Sequence, residues 1–242
     1  MQALPFMNKK YDAIIFDLDG TLYDFRHVVR HLIFQSPLDM FTMKADRDVR
    51  KEMKGCDFAS EEDFYAEYGK RMALRTKKSA SAVTKWFLEK YTKVQMPAVL
   101  RRFYSPRDGL ESFLKELVSQ GIKLAVFSDY PAVKERLKAL GFSNKAMSLL
   151  SGTYCAQQFG CLKPAARPFI CIAREMGVSP QRCLVVGDRD DTDGQGARAA
   201  SMPFVQIKSH KTKVLDSNHP LMSWEDFAKS FAREKVAESN PA

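Results

Sequence analysis

From Gly109 onward, the sequence alternates between short apolar runs and longer segments in which apolar residues recur with helical spacing. Short apolar runs bounded by turn residues are typical of buried strands, and the segments between them are typical of amphipathic helices. The predicted strands are 123–128, 148–152, 183–186 and 203–208, and the predicted helices are 110–120, 132–140, 167–176 and one from about 196. This alternation favours an α/β fold whose strands form a doubly wound parallel sheet.

An earlier apolar run, at residues 11–17, predicts a buried parallel strand that ends at a Gly20-Thr21 turn. The segment 26–105 that follows is different, because it is rich in Lys, Glu, Met and Phe and has few β-branched runs. Its apolar residues recur three and four positions apart, as amphipathic helices require. The sequence therefore predicts a helical insert after the first strand, together with a final helix at 224–236 and a loose tail at 238–242.

Most of the formal net charge of +9 lies in this insert, where 17 Lys and Arg stand against 10 Asp and Glu. The insert therefore carries +7 and the rest of the chain +2. Because basic surfaces attract polyanions, one hypothesis is a non-catalytic binding protein that uses the basic insert on nucleic acid or on another partner. The motifs described below favour an enzyme instead, and nucleic acid is not the expected partner.

The sequence also bears on location and on cysteine chemistry. It has no run of about 18 or more apolar residues, so no membrane span is expected. Residues 1–10 are too short for a secretory signal, and we therefore expect a cytoplasmic protein. The five cysteines form no closely spaced pair, so neither a disulfide framework nor a zinc site is expected.

Four short polar motifs stand at strand ends or in the loops between elements. In chain order they are Asp17-Leu18-Asp19-Gly20-Thr21, Phe127-Ser128-Asp129, Lys163-Pro164, and a run of acidic residues from Asp188 to Asp193. Open α/β sheets bind their ligands at the carboxyl ends of the strands, so we expect these side chains to meet there. A carboxylate at the end of a buried strand is costly to bury unless it is paired, which favours a functional role for the first motif.

In this order, the motifs resemble those of the haloacid dehalogenase-like (HAD) superfamily: a nucleophilic Asp-x-Asp, a Ser or Thr, a Lys and a strand-terminal acidic motif. The resemblance spans 17–193, and residues 187–193 are similar to the acidic motif of its small-molecule phosphatases. An insert between the first two motifs is similar to members with a mobile α-helical cap. The resemblance implies a Rossmann-like HAD core domain of residues 1–25 and 106–242, with a helical cap domain of residues 26–105 inserted after the first strand.

The resemblance also implies an activity, which is hydrolysis of a small phosphorylated metabolite by a Mg²⁺-dependent phosphatase. Asp17 would attack phosphorus and form an aspartyl-phosphate, which splits the displacement into two steps. Asp19 would protonate the leaving alkoxide and then take a proton from the hydrolytic water. Ser128 and Lys163 would bind the transferring phosphoryl group.

The same resemblance implies the metal ligands. Mg²⁺ would be bound by Asp17, by the backbone carbonyl of Asp19 and by Asp188, because this ion prefers oxygen ligands. Asp193 would not bind the metal itself but would orient Lys163 or a metal-bound water. One departure is Asp129, which stands where many relatives have Asn and which would add negative charge near the phosphate.

Other reactions of the superfamily remain as alternatives. A phosphomutase uses the same aspartyl-phosphate but returns the phosphoryl group to a sugar, and the motifs hardly separate it from a phosphatase. Dehalogenation needs no Mg²⁺ and no acid at Asp19, and phosphonate cleavage would require a Schiff-base lysine that the insert does not reveal. The presence of Asp17, Asp19, Lys163 and Asp188 together argues against a non-catalytic binding protein.

Overall fold

The computed structural model describes residues 11–210 and 212–238. The expected cytoplasmic start at residues 1–10 and the expected tail beyond residue 238 lie outside the described residues. In the described part, no helix has both the length and the apolar character needed to cross a membrane.

A six-stranded sheet forms the centre of the molecule, and all of its neighbouring strands are parallel. The strands are β1 (Ala13–Phe16), β2 (Lys123–Ser128), β3 (Gly152–Cys155), β4 (Cys183–Gly187), β5 (Phe204–Ile207) and β6 (Leu221–Met222). Their order across the sheet is β3-β2-β1-β4-β5-β6, so the chain builds outward from β1 in both directions. The α/β fold class with a doubly wound parallel sheet is therefore confirmed.

The helices fall into two groups along the chain. Five lie within residues 26–105, namely α1 (Val28–Gln35), α2 (Met40–Glu52), α3 (Glu61–Thr76), α4 (Ala80–Lys85) and α5 (Met96–Phe103). The others follow in the alternating part, namely α6 (Leu110–Ser119), α7 (Val133–Ala139), α8 (Asn144–Ser148), α9 (Ala166–Glu175), α10 (Gln195–Ala199) and α11 (Trp224–Glu238). A π-helical segment, Trp86–Gln95, joins α4 to α5. The helical character predicted for the insert is confirmed.

Two parts of the predicted element pattern differ from the structure. The strand predicted at 148–152 is wrong, because β3 begins only at Gly152 and residues 144–148 form α8. The hydroxyl of Ser143 accepts the backbone N–H of Ala146 at 2.9 Å, and this N-cap starts a helix in that segment. The two-residue strand β6 was not predicted, since a strand this short carries no alternation.

Aromatic side chains connect the last helix to the sheet. Phe227 on α11 is fully buried, and its ring lies 6.4 Å from Phe16 on β1 and 5.7 Å from Phe113 on α6. The ring of Trp224 lies 5.6 Å from that of Phe113. Aromatic pairs at such distances add to the stabilisation from buried area. The helix predicted at 224–236 is therefore present, and its first turns belong to the core.

Truncation of the Phe227 side chain should strongly destabilise the fold. We expect Phe227→Ala to lower the free energy of unfolding by about 3–5 kcal/mol, because it leaves a cavity between α11, α6 and β1. Phe41→Ala is the matched control, since that ring is 77 % exposed and its loss should change stability by about 0.5 kcal/mol or less. Denaturant unfolding measures both values. Equal effects for the two variants would contradict the packing of α11.

Candidate active site

The predicted site residues meet at the carboxyl ends of the three central strands. Asp17 directly follows β1, Ser128 ends β2 and Asp188 directly follows β4. Because β1 pairs in parallel with both β2 and β4, these three ends lie side by side. The backbone N–H of Asp17 donates to the carbonyl of Val186 at 2.8 Å, which continues the hydrogen-bond ladder between β1 and β4 as far as Asp17. The sheet thus places these polar groups at one edge.

Gly20 lets the chain turn sharply after the first motif. Its φ of +95° lies in the left-handed region that favours glycine. A Cβ at this position would also collide with the carboxylate of Asp188. The guanidinium of Arg107 donates to the carbonyl of Gly20 at 3.0 Å and so holds the turn from the other side. Glycine is required here because both the backbone conformation and the close approach of Asp188 exclude a side chain.

The ammonium of Lys163 is buried between two carboxylates. Its Nζ lies 2.7 Å from Oδ1 of Asp17 and 2.7 Å from Oδ1 of Asp193, and it donates to the carbonyl of Phe127 at 2.9 Å. The second oxygen of Asp17 accepts the hydroxyl of Thr21 at 3.0 Å. Burial by itself would lower the pKa of Lys163, but the adjacent Asp17 and Asp193 raise it, so this lysine is a permanent cation.

Negative charge exceeds positive charge in this cluster. Burial raises the pKa of Asp17 well above its usual value, with Lys163 opposing the rise and the carboxylates of Asp193, Asp188 and Asp19 adding to it. Burial also raises the pKa of Asp193. For Asp188, burial and then the neighbouring Asp193 raise the pKa to about 7. A single ammonium therefore does not neutralise the carboxylates that the sheet brings together.

The donor set fits a hard divalent cation. One carboxylate oxygen from each of Asp17, Asp188 and Asp193 lies within 4.8 Å of the others. Mg²⁺ prefers oxygen ligands, and its charge would offset the unneutralised carboxylates. The cluster contains Asp17 and Asp188, which were predicted as ligands. It also contains Asp193, which was predicted to orient Lys163 or a metal-bound water. The side chain of Asp19 points elsewhere, so its backbone carbonyl remains its predicted contact with the metal.

The carboxylate of Asp19 forms a second polar cluster beside the first. It accepts the hydroxyl of Tyr23 at 2.5 Å and the hydroxyl of Ser128 at 3.1 Å, and it forms an ion pair with Arg136. Arg136 is fully buried, and its Nη1 donates to the hydroxyl of Ser128 at 3.0 Å. The backbone N–H of Tyr130 donates to the same hydroxyl at 3.1 Å. The structure thus brings Asp19 and Ser128 together.

Asp129 has a structural task. Its carboxylate accepts the backbone N–H of Lys163 at 2.9 Å, and its backbone carbonyl accepts the side chains of Gln157 at 2.6 Å and Arg50 at 3.0 Å. The carboxylate therefore holds the loop that carries Lys163.

The remaining acidic residues of the fourth motif bind other groups. Asp190 is fully buried, pairs with Arg198 at 2.6 Å and accepts the backbone N–H groups of Leu215 and Asp216 at 2.6 and 2.9 Å. Asp191 pairs with Arg189 at 2.5 Å near the surface. These contacts support the loop after β4.

Comparison with known proteins agrees with this geometry. The family model described as haloacid dehalogenase-like hydrolase matches residues 11–201, which is most of the chain. The chain belongs to the haloacid dehalogenase-like hydrolase family. The resemblance carried by the four motifs is therefore confirmed.

Individual relatives of this HAD protein are named as phosphatases. A phosphoglycolate phosphatase of Xylella fastidiosa (strain 9a5c) is 33 % identical over 119 residues, a match that spans 48 % of this chain and 48 % of that protein. The chain thus spans about half the length of the first curated relatives that it matches. A glyceraldehyde 3-phosphate phosphatase of Methanopyrus kandleri is 26 % identical over 219 residues, or 84 % of this chain and 87 % of that protein.

Solved structures share the HAD fold across different chemistries. A predicted phosphoglycolate phosphatase from Haemophilus somnus 129pt superposes with a TM-score of 0.59 at 20 % identity, covering 92 % of this chain and 98 % of its own. A 2-haloacid dehalogenase from Pseudomonas syringae pv. Tomato DC3000 also reaches 0.59, at 15 % identity, covering 93 % of this chain and 99 % of its own. The fold alone therefore does not separate phosphatase from dehalogenase, and the site residues must do so.

Arg136 is the main residue of this HAD site that sequence reasoning missed. It stands in a run of charged residues, Lys134-Glu135-Arg136, on a predicted amphipathic helix, and such runs usually face solvent. The one available signal in the sequence was its short separation from Ser128, which places Arg136 one turn into the helix that follows the second motif. Its burial depends on a partner, Asp19, that is 117 positions away in sequence.

The raised pKa of Asp188 predicts how Mg²⁺ should affect stability. An Asp with a pKa of about 7 in the folded protein binds a proton there that the unfolded chain has already lost, so without metal the stability falls as pH rises toward 7. Mg²⁺ binds the ionised carboxylate of Asp188 and not its protonated form. We therefore expect saturating Mg²⁺ to raise the Tm by about 5 °C at about pH 8 and by much less at about pH 5.5, relative to EDTA.

Thermal unfolding followed by circular dichroism measures these shifts. Asp188→Asn is the matched variant, because the amide keeps the shape but removes the charge, and it should abolish most of the effect of Mg²⁺ at both pH values. An equal Mg²⁺ effect at the two pH values in the unsubstituted protein would contradict the metal assignment.

Proposed function

We propose that this protein is a Mg²⁺-dependent phosphatase that hydrolyses a small phosphorylated metabolite through an aspartyl-phosphate on Asp17. The observation that supports this most directly is the placement of Lys163. Its ammonium lies 2.7 Å from Asp17, and this attraction favours the ionised, nucleophilic form of the carboxylate in a buried site. The phosphatases among the relatives support the same reaction.

The chain's own residues account for both steps. In the first, an oxygen of Asp17 bonds to phosphorus while the bond to the ester oxygen breaks, and Asp19 gives its proton to the departing alkoxide. In the second, Asp19 takes a proton from water, whose oxygen attacks phosphorus and frees Asp17 and inorganic phosphate. Lys163 binds the phosphoryl oxygens and is held by Asp193. Ser128 also binds them when its hydroxyl proton turns from Asp19 to the phosphoryl group. Bound at Asp17, Asp188 and the carbonyl of Asp19, Mg²⁺ would neutralise the charge of the phosphoryl group.

Asp19 is the residue that separates this proposal from the dehalogenase alternative. A halide leaves as a stable anion and needs no proton, whereas an alkoxide needs one. The carboxylate of Asp19 is held in place by Tyr23, Ser128 and Arg136, so an acid group is available beside Asp17. The phosphomutase alternative uses all of these residues, so it is separated only by the fate of the phosphoryl group.

Substitution of the nucleophile tests the mechanism. We expect Asp17→Asn to abolish turnover of phosphate esters while the far-UV circular dichroism stays unchanged, because the amide has almost the same shape but is hardly nucleophilic. Acid quenching of the unsubstituted enzyme during turnover should leave a hydroxylamine-labile phosphoryl group, which mass spectrometry should locate on Asp17.

Asp191→Asn is the control, since that carboxylate pairs with Arg189 away from the nucleophile. It should keep its phosphoenzyme and its activity. Turnover by Asp17→Asn, or a phosphoryl group on another residue, would refute the covalent mechanism. Transfer of the phosphoryl group to a sugar instead of to water would identify a phosphomutase.

We infer further that residues 26–105 form a cap domain that takes part in substrate choice. Arg50 on α2 stacks over the ring of Tyr130, with 3.9 Å between the guanidinium carbon and the ring centroid, so this helix lies against the loop after Ser128. Lys54 follows one turn later and is partly buried. Burial and then Arg189 lower its pKa, while Asp129 and Asp191 act against this. In the described part of the chain, its ammonium makes no ion pair.

Lys54 is therefore placed to bind an anionic group on the part of the substrate that is not cleaved. Phosphoglycolate has such a group in its carboxylate, whereas glyceraldehyde 3-phosphate does not. Of the substrates that the relatives' names contain, we propose the class with a second anionic group. The cytoplasmic location expected from the sequence stays a prediction.

A pair of lysine variants tests this substrate class. Lys54→Ala should lower kcat/KM for phosphoglycolate by about tenfold, which corresponds to the loss of one partly desolvated charge pair, and should change kcat/KM for glyceraldehyde 3-phosphate little. High salt should lessen the preference in the unsubstituted enzyme. Lys51→Ala is the matched control, because that lysine on α2 is exposed to solvent. If neither variant nor salt changes the ratio of the two kcat/KM values, the basic cap has no part in substrate choice.

A further inference from the structure

Arg136 lies outside the four motifs, yet it joins two of them. Its Nη2 pairs with the carboxylate of Asp19 at the end of β1, and its Nη1 donates to the hydroxyl of Ser128 at the end of β2. The side chain is fully buried, and its guanidinium carbon lies 5.6 Å from the centroid of the Tyr130 ring. A guanidinium is taken out of water only where partners compensate, so this position requires both contacts.

The contacts of Ser128 depend on the same guanidinium. The hydroxyl oxygen accepts from Arg136 and from the backbone N–H of Tyr130, and its one proton is donated to Asp19. The orientation of this hydroxyl is therefore set by two donors and one acceptor. Removal of Arg136 would take away one of these three contacts and would leave Asp19 without its charged partner.

Asp19 has a different task from Asp17 and a different cation. Asp17 contacts Lys163, whereas Asp19 contacts Arg136 and the hydroxyl of Tyr23. A general acid and base must lie within hydrogen-bond reach of the leaving oxygen and then of the attacking water. A carboxylate that moves by about 1 Å loses about 10² in rate, so the group that holds it matters as much as its presence.

We propose that Arg136 is a positioning residue, which holds the carboxylate of Asp19 and the hydroxyl of Ser128 in the arrangement needed for proton transfer to the leaving group. The inference rests on the proposed phosphatase function and adds to it a residue of α7. Arg136 does not touch the reacting atoms, so its contribution passes through Asp19. Its loss should therefore matter most where the leaving group needs a proton.

The test compares two phosphate esters in the presence of Mg²⁺. An alkyl phosphate needs protonation of its leaving oxygen, whereas an aryl phosphate such as p-nitrophenyl phosphate hardly does. We expect Arg136→Ala to lower kcat for the alkyl ester by about 10²-fold and kcat for the aryl ester by about threefold, with little change in KM. Added guanidinium ion should restore much of the alkyl activity, because it fills the space that the side chain leaves.

A second experiment asks whether the effect passes through Asp19. In an Asp19→Asn background, Arg136→Ala should cause almost no further loss of alkyl turnover, since the group that it positions is already gone. Arg198→Ala is the matched control, because Arg198 also pairs with a buried carboxylate, that of Asp190, but lies outside the site. This variant should change stability and leave the ratio of alkyl to aryl turnover unchanged.

The outcomes separate the two proposals. An unsubstituted enzyme that hydrolyses neither ester refutes the proposed function itself. An active enzyme whose Arg136→Ala variant loses alkyl and aryl turnover equally, or loses the same factor again in the Asp19→Asn background, refutes the positioning role alone. If Arg136→Ala does not fold, Arg136→Lys decides the question. An unchanged ratio of alkyl to aryl turnover overturns the proposal, and a fall in that ratio supports it.

Discussion

The ammonium of Lys163 lies between the buried carboxylates of Asp17 and Asp193, 2.7 Å from an oxygen of each. Three segments that are distant in sequence must be correctly placed relative to one another for these two contacts to form. Asp17 follows β1, Asp193 belongs to the segment after β4, and Lys163 comes from the loop before α9. Removing one partner would leave buried charge uncompensated, which is strongly destabilising. The rest of the site is arranged around this pair of contacts.

Supporting contacts around the central pair fix each member separately. Asp129 binds the backbone of Lys163, and so the acidic residue that departs from the family pattern holds the cation in place. A Cβ at Gly187 would meet the side chain of Asp193, so the chain can approach that carboxylate closely only because a glycine stands there. Burial and then the neighbouring Asp193 raise the pKa of Asp188, and the excess of carboxylates that remains makes the site receptive to a divalent cation.

Much of this could be predicted from the sequence, because it depends on local signals and on their order. The apolar runs predicted the central strands, and the order of the motifs predicted that Asp17, Asp19, Ser128 and Lys163 would lie close together, as they do. The burial of Arg136 could not be predicted, since its charged neighbours on α7 are typical of a solvated face and its partner Asp19 comes from the turn after β1. The position of β3 was misjudged because the Ser143 cap, a side-chain contact of one residue, decides between helix and strand there.

The two aspartates of the first motif are two positions apart, yet each has its own buried cation. Asp17 pairs with Lys163 and Asp19 with Arg136, and the turn at Gly20 is what sends the backbone away from the strand just after them. The two carboxylates therefore have different surroundings, because Asp17 lies beside Asp188 and Asp193 whereas Asp19 lies within the hydrogen-bonded cluster of Tyr23 and Ser128. The difference between the roles proposed for these near neighbours follows from their partners, which lie in distant parts of the chain.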